Sequence, residues 1–338
     1  MKYCRIVILG ASGLVGNELL KLLEKEDFPV SSLRLLGNRS IGKQIIFKGK
    51  NTEIEKVTEI SFLNADIIFG CLGKEETAKY LPLIKKSGAY FIDNSSLMRL
   101  SEDAVLIIPE INGRLLKGDK KLIANPNCST IITALALFPI VKRYRIKSAE
   151  VTSFQAVSGA GKGALEEFLD EARYYPPAFD EKPRFLPETL FGNIIPKIGH
   201  VTENLYTEEE MKMQNELRRI FDLPKLKVSC TSVRVPVIRC HSFSVRLSFY
   251  EEIPLENIAF LWEKAPYIKF CCPSYYPSPL KSEGSLMVSV GRLRKNLCDK
   301  KSINFFVCGD QLLRGAAGNS FLTAKLINEK LLNNAAKL

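Results

Sequence analysis

Apolar positions in the first part of the chain change between short continuous runs and longer stretches with helical spacing. Cys4–Leu9 is a continuous run, and apolar residues three and four apart follow over 14–23, which predicts a strand and then a helix. Because strands that alternate with helices are typical of βαβ units, we expect an α/β domain with a parallel sheet. The further runs lie at 32–36, 66–69 and 89–93, and the further helical stretch lies at 75–86.

The later part of the chain mixes the two patterns in another order. Helical stretches begin at Cys128 and at Glu208, where Thr207 is a suitable N-cap. Alternating patterns typical of strands cover 148–157, 232–237 and 242–247, and a last helix is predicted over 311–330. Since 338 residues exceed what one hydrophobic core usually serves, we expect two domains.

Composition narrows the class of protein. A chain with 46% hydrophobic and 25% charged residues is typical of a globular protein. Since no apolar run reaches the length that spans a bilayer, and the N-terminus does not resemble a signal peptide, we expect no membrane partner and a cytoplasmic location. The nine cysteines include no CxxC pair, so neither a disulfide framework nor a metal site is expected.

The net charge of +11 calls for an anionic partner. Lysine and arginine are spread along the chain between acidic residues and form no dense block with interleaved aromatic residues, so nucleic acid is not the expected partner. Attraction of small anionic substrates and cofactors explains the charge, although a basic surface without a function is also compatible with it.

A glycine-rich segment joins the first predicted strand to the first predicted helix. Gly10 allows a tight turn, Gly13 lets the backbone approach a pyrophosphate, and Gly16 permits close packing of helix on strand. Phosphates would then lie at the helix N-terminus. The second strand ends at Arg39 and Ser40, where an NAD site normally has an acidic residue, so these two residues favour the 2′-phosphate of NADP.

Cys128 lies directly after a turn-forming segment and at the start of a helix. The turn is Asn125-Pro126-Asn127, and the apolar residues of the helix follow from Ile131. Free N–H groups and the helix dipole stabilise a thiolate at this position, which predicts a nucleophile, whereas an ordinary buried cysteine is the alternative. Earlier in the chain, Arg99 follows the strand 89–93 and is either a phosphate ligand or a solvated surface arginine.

Further candidate residues follow Cys128. Ser158 and Gly159 open a glycine-rich turn that either admits a ligand close to the backbone or is a plain loop. Glu209 and Lys212 share a helix face and form either a salt bridge or a site for a zwitterion. His241 is a better candidate base than the loop residue His200, because it lies between two predicted strands.

These motifs occur in the order found in aspartate-semialdehyde dehydrogenases, and the chain resembles that family over nearly its whole length. The most specific combination is Asn125-to-Thr130 followed by Ser158-to-Gly161. The resemblance implies a Rossmann-type NADP-binding domain over 1–127, completed by the helix 311–338, and an α+β catalytic and dimerisation domain with a mixed sheet over 128–310. It also implies a homodimer or tetramer.

The activity that the resemblance implies is NADPH-dependent reductive dephosphorylation of L-4-aspartyl phosphate to L-aspartate 4-semialdehyde and phosphate, on the route to lysine, methionine and threonine. Cys128 would form a thioester, Gln155 would orient the substrate, and His241 would be the acid/base residue. Substrate phosphate would contact Arg99 and Lys212, its amine Glu209, and its carboxylate Arg234. The positions that match cofactor contacts are Gly10, Ser12, Gly13, Leu14, Val15, Arg39, Ser40, Ser158, Gly159 and Asn319.

Two alternatives remain at this stage. N-acetyl-γ-glutamyl-phosphate reductases share the architecture and the thioester chemistry, but Asn127 and Glu209 argue against that substrate, because those enzymes are expected to have Asn-Pro-Gly-Cys and no glutamate for an amine. A catalytically silent NADP-binding scaffold is the second alternative, and the presence of all the chemical groups argues against it.

Overall fold

A computed structural model describes residues 1–38, 40–174, 183–272 and 274–332. The chain forms two compact units, which we call unit 1 (Met1–Asn127 and the C-terminal stretch from Ala316) and unit 2 (Cys128–Gly315). None of the helices described is both long enough and apolar enough to cross a membrane.

The strands are β1 (Cys4–Leu9), β2 (Val30–Leu36), β3 (Gln44–Phe47), β4 (Lys50–Glu55), β5 (Ile67–Gly70), β6 (Tyr90–Asp93), β7 (Val105–Leu106), β8 (Leu122–Ala124), β9 (Ile146–Gln155), β10 (Lys227–Arg234), β11 (His241–Phe249), β12 (Ile268–Phe270), β13 (Val288–Lys295) and β14 (Ser302–Gly309). The α-helices are α1 (Leu14–Lys25), α2 (Lys74–Ser87), α3 (Pro109–Asn112), α4 (Cys128–Val141), α5 (Lys162–Arg173), α6 (Glu208–Phe221), α7 (Leu255–Lys264), α8 (Pro279–Ser282) and α9 (Gly318–Ile327).

The sheet of unit 1 has the order β3-β4-β2-β1-β5-β6-β8-β7. Its strand pairs are parallel except for the edge hairpin β3–β4. The strand order reverses its direction at β1, which lies between β2 and β5, and such a switch point is where open α/β sheets bind ligands. The predicted parallel sheet is confirmed, and the carboxyl end of β1 leads directly into the glycine loop.

The sheet of unit 2 is mixed, as predicted, with the order β10-β9-β11-β14-β13-β12. The pairs β9–β10 and β12–β13 are parallel, and the other pairs are antiparallel. Because β11 runs against β9 and β10, the start of β11 lies at the same edge as their ends. That edge brings together Gln155, Arg234 and His241. Gln155 and His241 are more than eighty residues apart in the sequence.

Helix α4 is part of the core of unit 2. Residues 129–137 are buried on every side of the helix, which its uniformly apolar sequence explains. The Trp262 indole N–H of α7 donates to the carbonyl of Ala136 at 2.8 Å. The helix that begins at Cys128 is therefore held along its whole length by packing.

Three sequence predictions need correction in their bounds. The strand predicted over 148–157 is β9, Ile146–Gln155, and a short 3-10 helix begins at Val157. The strand predicted over 232–237 ends at Arg234, because Pro236 has no N–H to continue the pairing. The helix predicted over 311–330 contains α9 in its middle, with a π-helical turn on either side over Leu313–Ala317 and Asn328–Leu332. The sequence pattern did not reveal the hairpin β3–β4, since its strands are largely exposed and β4 is mostly polar.

Candidate active site

Cys128 is the first residue of α4 and is half-buried. Its backbone lies against Gly315, where an added Cβ would be only 2.8 Å from Cys128 Cβ and 3.2 Å from its carbonyl oxygen. Only glycine is compatible with this approach, so the chain after β14 supports the cysteine from behind. The structure thus identifies Gly315 as a close neighbour of Cys128.

Three of the candidate side chains form a connected chain in unit 2. The side-chain amide of Gln155 donates to Glu209 Oε1 at 3.2 Å, and Lys212 Nζ lies 3.2 Å from Glu209 Oε2. Glu209 is buried, whereas Lys212 is half-buried. The salt bridge, one of the two alternatives of the sequence analysis, is thus formed. The carboxylate of Glu209 also lies beside Gln155.

The start of α6 is fixed by a capping box. Thr207 Oγ1 accepts from the Glu210 N–H at 3.4 Å, and Glu210 Oε2 accepts from the Thr207 N–H at 2.7 Å. The second oxygen of Glu210 accepts from the Ser232 N–H at 2.9 Å, which joins α6 to β10. The predicted cap is confirmed, and it fixes the position of the helical turn that carries Glu209.

Arg234 is buried at the end of β10, and its Nη1 donates to the carbonyl of Ala156 at 2.7 Å. Burial lowers the pKa of this guanidinium, while the charges of Glu209 and of the Cys128 thiolate act against that change. Arg234 is therefore within electrostatic range of both groups. The charge of this buried guanidinium thus acts both on Cys128 and on Glu209, the hydrogen-bond partner of Gln155.

His241 is fully buried at the start of β11. Its Nδ1 accepts a hydrogen bond from the Ala156 N–H at 3.1 Å, so the neutral ring carries its proton on Nε2. Nε2 has no hydrogen-bond partner among the described residues. Burial, helped by the Arg234 charge, holds the pKa of His241 well below its usual range, so the ring is neutral at physiological pH.

The backbone at Gly159 covers His241 and Arg234. A Cβ at this position would lie 2.8 Å from His241 Cε1 and 3.2 Å from Arg234 Nη1. The neighbouring Ser158 donates from Oγ to the carbonyl of Ile238 and accepts from Gln311 Nε2. The backbone of this turn therefore approaches two side chains of the protein, and its predicted role towards a ligand stays a prediction.

Gln311 is a residue that the sequence analysis missed. Its Nε2 donates to Ser158 at 2.7 Å, and its Oε1 accepts from the Cys240 N–H at 2.7 Å. It thus connects the glycine turn to the residue before His241. The sequence signal was the pair of polar residues Asp310 and Gln311 directly after β14. Both side chains are buried, and buried polar groups need hydrogen-bond partners inside the fold.

Arg99 lies in unit 1 and is buried, which excludes the solvated surface arginine of the sequence analysis. Its guanidinium donates to the carbonyls of Asn125 and Asn94 at 3.0 and 2.9 Å. The side chain is thus held at the ends of β6 and β8, beside the turn that precedes Cys128 in the chain.

The glycine loop of unit 1 has the geometry of a dinucleotide cradle. Gly10 has a φ of +89°, and a Cβ at Gly16 would lie 2.5 Å from the carbonyl oxygen of Gly10. Gly13 is the N-cap of α1 and supplies no side-chain acceptor, so the first N–H groups of the helix stay available to a ligand. Ser12, Leu14 and Val15 are half-buried along this loop.

Asn319 is buried and offers a polar atom for a ligand. Its Nδ2 donates to Asn125 and to the carbonyl of Ile107, and its Oδ1 has no partner among the described residues. Ser40 is half-buried after β2, whereas Arg39 lies outside the described residues. The residues of unit 1 therefore fit a dinucleotide on two independent observations, the glycine cradle and this buried oxygen.

The candidates separate between the two units. Unit 2 brings together Cys128, Gln155, Ser158, Gly159, Glu209, Lys212, Arg234 and His241, and unit 1 contains Gly10, Ser12, Gly13, Leu14, Val15, Ser40, Arg99 and Asn319. His200, the rejected alternative to His241, is exposed in a loop. The described residues contain no group of three or more His, Cys, Asp or Glu side chains arranged to hold a metal ion.

Two family models match the chain and define its class. Residues 5–118 match "Semialdehyde dehydrogenase, NAD binding domain", and residues 137–314 match "Semialdehyde dehydrogenase, dimerisation domain". The chain is thus a semialdehyde dehydrogenase-type protein with an NAD-binding domain of the Rossmann type and a dimerisation domain, which confirms the predicted fold class.

Individual relatives narrow this class. An aspartate-semialdehyde dehydrogenase of Synechocystis is 37% identical over 96% of this chain and 98% of its own, and one of Campylobacter jejuni is 38% identical over 95% and 96%. The crystal structure of aspartate semialdehyde dehydrogenase II of Vibrio cholerae complexed with ASA is 32% identical, with coverage of 98% and 100% and a TM-score of 0.94. The chain belongs to the aspartate-semialdehyde dehydrogenase family, as its motifs predicted.

Proposed function

We propose that this chain catalyses the reversible, NADPH-dependent reductive dephosphorylation of L-4-aspartyl phosphate to L-aspartate 4-semialdehyde and phosphate, in the biosynthesis of lysine, methionine and threonine. Its membership of the aspartate-semialdehyde dehydrogenase family supports this assignment. The observation that carries the chemistry is that Arg234 and His241 both bind the main chain of Ala156, at 2.7 and 3.1 Å, directly after Gln155. On this basis we assign a nucleophile, an anion-binding group and a proton donor to one site.

Substrate recognition follows from the charges of that site. We assign the α-carboxylate to Arg234, whose planar guanidinium suits a bidentate contact. The amine is assigned to Glu209, which Gln155 holds through a hydrogen bond. Lys212 and Arg99 are assigned to the phosphate, because a leaving group with nearly two negative charges needs cations.

The first chemical step uses Cys128. Its thiolate attacks the acyl carbon, the C–O bond to phosphate breaks, and phosphate leaves with the electron pair, so that a thioester remains on the cysteine. The N–H groups at the start of α4 are suited to stabilise the oxyanion that develops in this step. Because burial and packing fix α4, the sulfur needs no rearrangement of the helix before attack.

The second step involves the proton on His241 Nε2. When bound, NADPH supplies the hydride that reduces the thioester. His241 donates from Nε2 to the oxygen that gains negative charge, because Nδ1 is occupied by the Ala156 N–H. For Nε2 to accept a proton, the ring would have to lose that hydrogen bond. We therefore propose that neutral His241 acts as a hydrogen-bond donor to this oxygen, and that the C–S bond then breaks, which releases the aldehyde and restores the Cys128 thiolate.

The cofactor and the domain roles are assigned on the same basis. We propose that unit 1 is the NADP-binding domain, with the glycine loop and Asn319 holding the dinucleotide and with Arg39 and Ser40 selecting its 2′-phosphate. Unit 2 would be the catalytic and dimerisation domain, which makes the protein a homodimer or a dimer of dimers. The nine cysteines form no disulfide among the described residues, which is compatible with a reducing compartment, and we propose the cytoplasm.

The test is a direct comparison of substrates. The purified protein is given NADP with either aspartate semialdehyde and phosphate or N-acetylglutamate semialdehyde and phosphate, and NADPH formation is followed. We expect turnover with the first substrate and a kcat/KM at least about 100-fold lower with the second, because the acetylated amine cannot pair with Glu209. Preference for the second substrate, or no turnover with either, would overturn the assignment.

A further inference from the structure

A second cavity lies in unit 2, at the opposite edge of the sheet from the candidate active site. Its volume is about 570 Å³, and its lining includes Ile146, Lys227 and Tyr250, which stand at the start of β9, at the start of β10 and directly after β11. Gln155, Arg234 and His241 stand at the other ends of these strands. Since β9 has ten residues, the two sites are roughly 30 Å apart.

The lining of this cavity is strongly basic. No aspartate or glutamate belongs to it, and the nearby Asp222 and Glu251 lie outside. The carboxylate of Asp299, also outside the lining, interacts electrostatically with Lys147. Within the described residues, none of its cations forms an ion pair. The cations are Lys142, Arg143, Arg145, Lys147, Lys225 and Lys227.

Helix ends explain only part of this charge. Helix α4 ends at Val141 and α6 at Phe221, and cations beyond a helix C-terminus stabilise its dipole. Lys147 and Lys227, however, belong to β9 and β10 and have no such role. Six exposed cations around one concave surface attract small anions.

Aromatic rings complete the lining. Tyr250 is 56% exposed, and the guanidinium of Arg145 lies 5.0 Å from its ring centroid. The Arg143 guanidinium lies 5.5 Å from the ring of Tyr144. Guanidinium planes and an exposed ring give a planar ligand group a surface on which to stack.

We propose that this cavity is a binding site for a nucleoside polyphosphate, a small anion with several phosphate groups and a planar ring. The phosphates would pair with the lysines, and the ring would lie against Tyr250 and Arg145. The volume of about 570 Å³ falls within the range of small-molecule sites. The proposal does not depend on the catalytic assignment, because none of its residues belongs to the candidate active site.

The experiment measures binding by calorimetry with ATP, tripolyphosphate or inorganic phosphate as the probe, in the presence of saturating NADP. The site variant combines Lys142→Gln, Lys147→Gln and Lys227→Gln. The matched control combines Lys264→Gln, Lys269→Gln and Lys300→Gln, three exposed lysines of unit 2 outside the cavity. We expect ATP to bind at one site per chain, at least about tenfold more weakly to the site variant and unchanged to the control.

Three results would overturn the proposal. The first is an equal loss of affinity in both variants, which would show general attraction to a basic surface. The second is an equal affinity for tripolyphosphate and ATP, which would exclude a role for the ring. The third is no heat of binding with ATP at millimolar concentration. Tighter binding of a single-stranded oligonucleotide than of ATP at 150 mM salt would also overturn the proposal, because the site would then be one for nucleic acid.

Discussion

The glycine loop after β1 and the cluster around His241 are built from different parts of the chain. In the loop, Gly10, Gly13 and Gly16 present main-chain N–H groups, and seven consecutive residues contain the whole motif. In the cluster, buried side chains from the ends of β9, β10 and β11 and from α6 meet. The first region depends on the absence of side chains, and the second depends on their exact type.

This difference determines how each region should respond to substitution. A change in the loop alters the space for a ligand and should act on cofactor binding. A change in the cluster alters charge or the position of a proton and should act on the chemical step. The predictions below test that separation, beginning with the largest effect.

Cys128→Ser should lower kcat by at least about 10⁴-fold, because the poorer nucleophile forms no thioester. Rapid-quench mass spectrometry would show the acyl adduct on the native chain and none on the variant. Cys298→Ser, at an exposed thiol, is the matched control and should retain native kcat. A Cys128→Ser variant with more than a tenth of native turnover would contradict the covalent mechanism.

Two glycine substitutions compare the regions directly. Gly159→Ala places a Cβ 2.8 Å from His241 Cε1 and should lower kcat by about 100-fold through displacement of the ring. Gly16→Ala closes the loop on Gly10 and should mainly raise the KM for NADPH, with kcat little changed. Gly73→Ala, where an added Cβ meets no atom within 4 Å, is the control. If steady-state kinetics showed that both variants change the same parameter, either kcat or the KM for NADPH, the proposed separation between the two regions would be refuted.

Arg234→Lys should raise the KM for the semialdehyde by roughly 10- to 100-fold, since an ammonium group cannot replace the bidentate contact. The KM for NADPH should stay within about twofold of the native value. Arg246→Lys, a half-exposed change of the same type on β11, serves as the control. If the KM for the semialdehyde changed equally in the two variants, Arg234 would not be a substrate-binding residue.

His241 should also affect stability through pH. Its folded pKa is depressed, so below about pH 6.5 the unfolded chain binds a proton that the folded chain does not. The free energy of unfolding should therefore fall as the pH decreases, by roughly 1.4 kcal/mol per pH unit until the folded pKa is reached. Urea titrations at pH 7.0 and 5.5 should show a smaller fall for His241→Gln than for the native chain. The exposed His200→Gln control should keep the native dependence.

Thr207→Ala should have the smallest effect, about 1 kcal/mol in the free energy of unfolding, because it removes the N-cap of α6. Thermal unfolding would detect the change against Thr231→Ala, an exposed threonine on β10. A variant as stable as the control would show that Glu210 alone holds the end of the helix.

The fold was predictable wherever burial leaves a periodic pattern. Strand β1, helix α1 and the apolar helix α4 follow directly from their apolar positions. The hairpin β3–β4 was missed because its turn, Lys48-Gly49, has positive φ at both residues without the usual Asn-Gly sequence. Pro236 signalled the early end of β10, but the alternation of apolar residues around it masked that signal.

The site was predictable in its residue types and less so in its arrangement. The helix start at Cys128 and the cap at Thr207 are local features, and the structure contains both. The hydrogen bond from Ala156 to His241 and the contacts of Gln311 join residues that are more than seventy positions apart. Such contacts depend on the strand order of unit 2, which no local pattern encodes.

The close contact between Gly315 and Cys128 has a consequence for inhibitor design. Because the backbone of Gly315 lies so close to Cys128 that an added Cβ would be 2.8 Å from the cysteine Cβ, we expect an electrophile to reach the sulfur from the side away from Gly315. A covalent inhibitor should therefore carry its bulk on that open side and a small, flat warhead at the sulfur. Enantiomers of a chiral warhead should accordingly label Cys128 at clearly different rates.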